Sequence, residues 1–152
     1  MVGSSIAREC DHVIYTQAGP EISVASTKAY STQVAVLYLL GLYLAAINGT
    51  LPMAIYSEST QGLMQLPSLI ARSLEREPEV RAIASELYRT PLAFYLGRGI
   101  DAYVAMEGAL KLKEIAYIPT QEPPAGEMKH GPLALVEPGV VAVFIASQAR
   151  TR

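Results

Sequence analysis

The stretch "PLAFYLGRGID", Pro91–Asp101, is the part of this chain that decides its fold class. The apolar run from Leu92 to Leu96 is typical of a buried strand, and Gly97 and Gly99 then permit a sharp turn of the backbone. The residues that follow favour a helix from Asp101 to about Tyr117. A buried strand, a glycine turn and a helix together begin a parallel strand–helix–strand unit.

The strand that completes this unit is the apolar run "VVAVFIAS", Val140–Ser147, near the end of the chain. It lacks apolar–polar alternation, which is typical of a strand covered on both faces in a parallel sheet. The predicted fold class is therefore α/β, with a parallel sheet flanked by helices.

A long helix is predicted upstream. Ser26 or Thr27 is suited to cap it, and it should end near Asn48. Its most apolar window, Val34–Ile47, has about 14 residues, fewer than the roughly 20 that cross a bilayer, so we predict a buried core helix. Gly41 within this window favours close packing against another backbone.

Shorter patterns flank this helix. His12–Thr16 reads as a short strand, and the apolar positions between Leu63 and Leu74 recur at helical spacing. Pro78 suits the first turn of a further helix. The charged residues at 75–79 mark the predicted boundary between two subdomains.

The composition limits the classes of function. The chain has 152 residues, of which 51% are apolar and 17% are charged, enough to fill the core of a folded domain. The formal net charge is −2 and no long basic run occurs, so neither nucleic acid nor a membrane is a predicted partner. The single cysteine, Cys10, fits a reducing cytoplasm, and His12 and His130 are too far apart in sequence to suggest a metal site.

The stretch "EGALKLKEIAY", Glu107–Tyr117, places charged residues on a largely apolar helix. Glu107, Lys111 and Glu114 stand at positions i, i+4 and i+7 and share one face, whereas Lys113 points elsewhere. Such a stripe is either a surface salt-bridge ladder or a device for proton transfer. In the second case a carboxylate removes the acidic proton beside a sugar carbonyl, and an ammonium stabilises the enolate oxygen.

The loop "PPAGEMKHGP", Pro123–Pro132, favours the proton-transfer interpretation of this stripe. Its prolines stiffen the backbone, and Gly126 and Gly131 permit tight bends. Such a loop can hold His130 in place to donate or accept a proton as a sugar ring opens. A structural histidine bonded to a backbone carbonyl is the alternative.

The start of the long helix offers a second candidate site. Ser26, Thr27 and Lys28 supply hydroxyls, helix N–H groups and an ammonium, which suit a phosphorylated or polyhydroxyl ligand. A plain helix cap with a solvated lysine is the alternative. The turn Gly97-Arg98-Gly99 is a weaker candidate, because it lacks the third glycine of a dinucleotide fingerprint.

Three segments resemble a known family: "EISVASTKAYSTQVAVLYLL", "EGALKLKEIAYI" and "AGEMKHGPLALVEPG". They are similar to the isomerase region of the glutamine–fructose-6-phosphate aminotransferases, also called glucosamine-6-phosphate synthases. That region consists of two sugar isomerase (SIS) domains in tandem. The likeness covers nearly the whole chain, although Leu51–Thr90 shares only its helical character and "QEPPAGE" departs from the usual alanine-rich loop.

The resemblance implies that fructose 6-phosphate is opened, aminated with glutamine-derived ammonia and isomerised to glucosamine 6-phosphate. Glu114 matches the carboxylate that shuttles a proton between C1 and C2, Lys111 the lysine that stabilises the enolamine, and His130 the histidine that opens the ring. Val24 and Ser26 match positions that touch the sugar. In the family the histidine reaches the neighbouring subunit's site, which implies a homodimer. No metal or organic cofactor is implied.

The resemblance also predicts a domain organisation. Residues 1–75 match the C-terminal part of the first SIS domain, 76–90 a connecting helical segment and 91–152 the N-terminal part of the second. The glutaminase domain, the phosphate-binding loops and the Schiff-base lysine of the family find no match here, so we expect the chain alone to be inactive. A sheet divided in this way has unpaired edges and an uncovered apolar face, which predicts low stability or association with other copies.

Other interpretations stay open from the sequence. One is a SIS deaminase/isomerase that acts on amino-sugar phosphates without glutamine. Another is a non-catalytic sugar-phosphate-binding SIS module, and a third is a truncated reading frame without activity. The presence of Glu114 and His130 argues against the binding module, since a sensor needs no base.

Overall fold

The computed structural model describes residues 2–149, and the chain divides into two compact units between Arg76 and Glu77. The assignment of residues 1–75 and 91–152 to successive SIS domains stays a prediction.

The regular structure of the first unit is helical. Residues 2–76 form three helices, α1 at Ser5–Glu9, α2 at Lys28–Ile47 and α3 at Met53–Leu74. Thr27 and Asn48 flank α2, so the bounds predicted for the long helix are confirmed. The strand predicted at His12–Thr16 is wrong, because a strand needs a neighbouring strand and residues 2–76 contain none.

The surface of α2 is apolar but uncovered. None of its residues is buried, and Leu37, Tyr38 and Ile47 are 65%, 54% and 61% exposed. A Cβ atom added to Gly41 would meet nothing within 4 Å. The predictions of a buried core helix and of close packing at Gly41 are therefore wrong for this chain. The reason is that residues 2–76 contain no sheet against which such a helix could bury its apolar surface.

Judged by length and composition alone, the 20-residue helix α2 could cross a bilayer. It is the one such helix among residues 2–149. This is weak evidence for a membrane span, because the core helix of a folded protein passes the same test.

The second unit contains a three-stranded sheet. Its α-helices and strands within residues 77–149 are α4 at Glu77–Leu87, β1 at Ala93–Gly97, α5 at Ile100–Ala116, β2 at Thr120–Gln121 and β3 at Val141–Ile145, and two 3-10 turns lie between β2 and β3. The strand order is β2–β1–β3 and both pairs are parallel, with Ala93 aligned with Thr120 on one side and with Val141 on the other. The predicted strand–turn–helix–strand unit is confirmed. The sequence did not reveal β2, because two residues are too few to produce a pattern.

The core of the second unit lies around β1 and α5. Phe94 and Leu96 on one face of β1, and Ala93 on the other, are almost inaccessible to solvent. Burial on both faces is what a central parallel strand requires. Ala105 and Ala109 of α5 are equally buried, and their small side chains let the helix lie close to the sheet.

Gly97 and Asp101 fix the turn between β1 and α5. A Cβ atom on Gly97 would overlap the backbone carbonyl of Asp101, and Gly99 adopts a positive φ of 60°, so glycine fits both positions best. The Asp101 side chain accepts hydrogen bonds from the Ser147 hydroxyl at 2.6 Å and from the Ser147 N–H at 2.9 Å. The first turn of α5 is thus bound to the chain that leaves β3.

Candidate functional site

The charged stripe of α5 is drawn together in the structure. The Nζ atom of Lys111 lies 2.8 Å from Glu114 Oε2 and 3.3 Å from Glu107 Oε1. The side chains of Lys111, Glu107 and Glu114 are only 19%, 23% and 29% exposed. By contrast, the Glu77–Arg81 pair of α4 has side chains 56% and 78% exposed. The stripe is therefore a half-buried ion-pair array, unlike the solvated pair on α4.

The two carboxylates hold a positive charge in this array. The hydrogen bond with Glu114 is the main cause that raises the pKa of Lys111; the contact with Glu107 adds to it, and partial burial opposes both. Because the ion pair uses Oε2 of Glu114, the other carboxylate oxygen remains able to accept a proton. A carboxylate beside a fixed cation can take a proton from carbon while the cation stabilises the resulting anion.

Lys113 points away from the array, as its helical position predicts, and pairs with Glu122 just after β2. The Lys113 Nζ lies 2.9 Å from Glu122 Oε1, and Glu122 Oε2 is buried without a hydrogen-bond partner in the described part of the chain. This pair ties the last turn of α5 to the end of β2. Sequence reasoning missed Glu122, because no periodicity relates a loop residue to a helix nine positions earlier.

His130 ends a 3-10 turn, Ala125–His130, and is exposed. Gly131 follows with a φ of 138°, which confirms the tight bend predicted there. Across residues 2–149, no hydrogen bond or ion pair joins His130 to Lys111 or to Glu114. The ring-opening role predicted for His130 requires this side chain to come close to Lys111 and Glu114, and the described contacts do not bring it there. The role therefore stays a prediction.

A cleft of about 640 Å³ opens at the carboxyl edge of the sheet, where ligands commonly bind in parallel α/β folds. Its walls include Gly97, Arg98, Ala146 and Gly126. The Gln148 side-chain amide donates to the Arg98 carbonyl at 3.3 Å, so internal contacts shape the glycine turn. Among residues 2–149, no group of three histidine, cysteine, aspartate or glutamate side chains is placed to hold a metal ion.

A carboxylate, rather than the predicted hydroxyl, caps the N-terminus of α2. Thr27 holds the N-cap position but makes no side-chain capping bond. Instead, Glu21 accepts hydrogen bonds from the Thr27 N–H at 2.7 Å, the Lys28 N–H at 3.1 Å and the Ser26 hydroxyl at 3.3 Å. The bond from the Thr27 N–H is the main cause that lowers the pKa of Glu21. The predicted N-cap residue, Thr27, is confirmed, but the capping bond comes from the Glu21 carboxylate, because a charged acceptor binds the helix N–H groups more strongly than a neutral hydroxyl.

Val24 and Ser26, the predicted sugar contacts, lie on the loop that Glu21 closes. Val24 is 91% exposed, whereas the adjacent Ala25 is buried and anchors the loop. The Lys28 ammonium donates to the backbone carbonyl of residue 20, so this lysine is bonded within the loop. The loop therefore presents Val24 to solvent, and the contact of Val24 and Ser26 with a sugar stays a prediction.

The model of the SIS domain family matches residues 1–43 and 86–152. The glutamine–fructose-6-phosphate aminotransferase (isomerizing) of Caldanaerobacter subterraneus subsp. tengcongensis is 50% identical over 148 residues, and that of Clostridium tetani is 47% identical over 148 residues. Both alignments cover 97% of this chain and 24% of the relative. The chain thus spans about a quarter of the length of these curated relatives.

A solved structure gives the same result for the fold. The C-terminal domain of glucosamine-fructose-6-phosphate aminotransferase from Francisella tularensis is similar with a TM-score of 0.90 and 39% identity, over 93% of this chain and 40% of that chain. The resemblance seen in the sequence and the predicted sheet flanked by helices are confirmed. Together with the family match over most of its length, this shows that the chain belongs to the SIS domain family.

Proposed function

We propose that this chain supplies part of the isomerase site of a glutamine–fructose-6-phosphate aminotransferase, an enzyme of amino-sugar biosynthesis. Its substrates would be fructose 6-phosphate and glutamine-derived ammonia, and its product glucosamine 6-phosphate. The observation that carries the proposal is the half-buried Glu107–Lys111–Glu114 array. It occurs in a chain that is 50% identical to an enzyme of that name.

In the proposed reaction, Glu114 moves a proton between C1 and C2 of the open sugar. The C–H bond breaks, its electron pair enters the enolamine, and the carboxylate of Glu114 holds the proton until the neighbouring carbon receives it. Lys111, 2.8 Å from Glu114, stabilises the negative charge that develops. A positioned general base of this kind contributes about 10²–10⁴-fold to the rate.

His130 is proposed to open the sugar ring, since an imidazole near neutral pH can both donate and accept a proton. His130 is exposed, and no hydrogen bond or ion pair within residues 2–149 joins it to the α5 array. We propose that it acts at the site of a second copy in a homodimer. Val24 and Ser26 are proposed to contact the sugar.

The wider assignments follow from the same resemblance. We propose that residues 1–75 end one SIS domain, 76–90 connect, and 91–152 begin the next. We also propose a cytoplasmic location and a reaction that uses no metal or organic cofactor.

Binding of fructose 6-phosphate tests the proposal. NMR spectra of the isotopically labelled chain are recorded as the sugar phosphate is added to millimolar concentration. We expect the side-chain signals of Lys111 and Glu114 to shift, and Glu114→Gln to weaken binding. Glu58→Gln changes an exposed carboxylate of α3 and serves as the control. Binding of the sugar phosphate by this part of the site is contradicted if neither Lys111 nor Glu114 responds to it.

A further inference from the structure

The loop that leads to His130 is fastened to α5 where it begins. Lys113 Nζ lies 2.9 Å from Glu122 Oε1, and the two side chains are 39% and 27% exposed. Just before this pair, the Thr120 hydroxyl donates to the Ala109 carbonyl of α5 at 3.3 Å. The start of the loop therefore has a fixed position relative to α5, the helix that carries the charged array.

Two prolines carry this fixed position onward. Pro123 and Pro124 follow Glu122 directly, and Pro124 precedes the 3-10 turn Ala125–His130. Proline fixes its own φ and restricts the residue before it to an extended backbone, so Glu122, Pro123 and Pro124 have little rotational freedom. The Pro124 carbonyl then accepts a hydrogen bond from the Glu127 N–H at 2.8 Å, which begins the turn. A rotation of the loop at Glu122 would therefore carry the turn with it.

The turn that carries His130 depends on the chain before it for its position. In the part of the chain that the structure describes, no hydrogen bond or ion pair joins residues 123–131 to α5 or to a strand. After the turn, the next hydrogen bond to a distant residue is at Gly139, whose carbonyl accepts from the Thr90 hydroxyl at 2.7 Å. The pair of Lys113 and Glu122 is thus the last attachment of this kind ahead of His130.

We infer that the Lys113–Glu122 ion pair positions His130, because it sets the direction in which the stiffened loop leaves β2. The inference rests on the proposed function, which gives His130 the opening of the sugar ring. Lys113 and Glu122 are positioning residues: neither contacts the sugar, and neither gains or loses a proton in the reaction. The pair acts in the same way whether His130 serves the site of its own chain or that of a second copy.

The surroundings of Glu122 explain why this pair matters more than a surface pair. The Glu77–Arg81 pair has side chains 56% and 78% exposed and joins two residues of one helix, so water can replace either partner. Glu122 Oε2, by contrast, is buried without a hydrogen-bond partner among the described residues. Without Lys113 the whole carboxylate would lack a donor, which is costly for a buried charge. The start of the loop should then turn outward to hydrate Glu122, and His130 should move with it.

NMR of the isotopically labelled chain tests the positioning directly. Lys113→Ala and Glu122→Ala each remove one partner, and Lys113→Glu/Glu122→Lys restores an ion pair with the charges exchanged. At fixed pH, we expect the ring signals of His130 and the amide signals of residues 125–130 to shift in both single variants. In the exchanged pair these signals should return toward their wild-type positions. Glu77→Ala removes the solvated pair of α4 and is the matched control, which should leave them unchanged.

Two results of the NMR measurement would overturn the inference. One is wild-type signals of His130 in both single variants. The other is an exchanged pair whose signals match those of the single variants, since the side chains themselves and not their pairing would then hold the loop. Circular dichroism reports whether each variant is folded, and if one single variant loses helix, the other decides.

The effect on the reaction is measured in a chimera in which this chain replaces the matching quarter of the Caldanaerobacter subterraneus aminotransferase. Exchange of the C1 hydrogen with deuterated solvent is followed with fructose 6-phosphate and with 5-deoxyfructose 6-phosphate. The second sugar lacks the hydroxyl that closes the furanose ring, so it stays open. We expect Glu122→Ala to slow exchange about 10- to 100-fold with fructose 6-phosphate only, because a misplacement of about 1 Å can cost about 10²-fold.

His130→Gln in the same chimera separates this inference from the proposed function. If His130→Gln slows exchange with fructose 6-phosphate only and Glu122→Ala does not, the proposed function stands and this inference alone falls. If His130→Gln shows no such preference for the ring-closed sugar, the proposed ring-opening role of His130 falls, and with it the role of the Lys113–Glu122 pair in the reaction.

Discussion

Gly97 lies where the first turn of α5 returns to the end of β1, and a side chain there would overlap the backbone of Asp101. We expect Gly97→Ala to destabilise the second unit severely, because the overlapping atoms belong to the backbone and cannot turn aside. Gly62→Ala in α3, where an added Cβ meets nothing within 4 Å, is the control. Thermal unfolding followed by circular dichroism checks this, and an unchanged midpoint in Gly97→Ala would contradict it.

Asp101 is a buried carboxylate whose charge is stabilised by hydrogen bonds. The Ser147 hydroxyl is the main cause that lowers the pKa of Asp101, burial opposes it, and N–H groups of Ser147 and Gln148 add to the lowering. Because the pKa of Asp101 is lower in the folded chain than in the unfolded chain, its ionised carboxylate stabilises the fold at pH values above the unfolded pKa of about 3.9. That stabilisation is lost as the pH falls through the folded value.

We therefore expect Asp101→Asn to be less stable than the wild type at neutral pH, and the difference to shrink in acid. Urea unfolding of both proteins across this pH range measures the difference. Asp11→Asn, which changes an exposed loop carboxylate, is the control. A stability difference between Asp101→Asn and the wild type that does not change with pH would refute the linkage.

The sequence predicts part of the candidate site and not the rest. Glu107, Lys111 and Glu114 could be placed on one face because the helical period relates them directly. The Glu21 cap of α2 and the pairing of Glu122 with Lys113 could not be predicted, since the path of a loop determines which distant side chain meets a helix end. Sequence reasoning therefore finds sites within one element more readily than contacts between elements.

α5 packs closely on the sheet at Gly108. A Cβ atom on Gly108 would lie 2.9 Å from the Tyr95 ring, whereas one on Gly41 of α2 would meet nothing within 4 Å. We expect Gly41→Ala to stabilise the chain by up to about 1 kcal/mol, since alanine favours a helix. Gly108→Ala should cost about 1–3 kcal/mol, because the ring must shift. Urea unfolding measures both, and a similar gain from both substitutions would contradict the packing.

The start of α2 depends on Glu21. We expect Glu21→Ala to speed amide hydrogen exchange at Thr27 and Lys28, whose N–H groups would lose their acceptor. In the wild type, acid should have the same effect, because protonation of Glu21 removes the charged acceptor. The pKa of Glu21 is lowered, so this should occur at a pH below the ordinary pKa of a glutamate. Glu58→Ala is the control, since Glu58 lies exposed within α3. Unchanged exchange at both N–H groups in Glu21→Ala would show that Glu21 does not cap α2.

The elements themselves were predicted closely where they are long or strongly patterned. The bounds of α2, β1, α5 and β3 differ from the prediction by about one or two residues, because each has a clear apolar pattern and glycine or capping signals at its ends. The strand predicted at 12–16 failed, since a suitable local composition does not supply a partner strand.

At the scale of the whole chain, much apolar surface remains uncovered in each unit. Leu37 and Tyr38 of α2 are more than half exposed, and Phe144 on the edge strand β3 is 70% exposed. We expect the chain to associate with other copies, because such edges and faces pair readily. Light scattering after size-exclusion chromatography should give a mass above 16.4 kDa.

A charged residue on the exposed edge should oppose this association. Phe144→Lys should lower the measured mass, whereas Tyr103→Lys, at a helix position that is 71% exposed, should lower it less. A wild-type chain that elutes as a compact monomer and melts cooperatively would contradict the expectation.

The prediction that α2 is a buried core helix failed because burial depends on the whole molecule. Periodicity shows which residues of a helix are apolar, but it does not show whether other surfaces cover them. Val34–Ile47 reads as a core helix by its composition, and residues 2–76 provide no sheet to cover it. Burial is a property of the surrounding structure, which a local pattern cannot supply.

Glu114 on α5 is proposed to move a proton on a sugar phosphate. A chimera in which this chain replaces the matching quarter of the Caldanaerobacter subterraneus aminotransferase allows this role to be measured. Exchange of the C1 hydrogen of fructose 6-phosphate with deuterated solvent is then measured. We predict that the chimera catalyses exchange, that Glu114→Gln slows it about 10²–10⁴-fold, and that Glu58→Gln does not. A folded chimera without exchange, or a Glu114→Gln chimera as fast as the unsubstituted one, would contradict this role of Glu114.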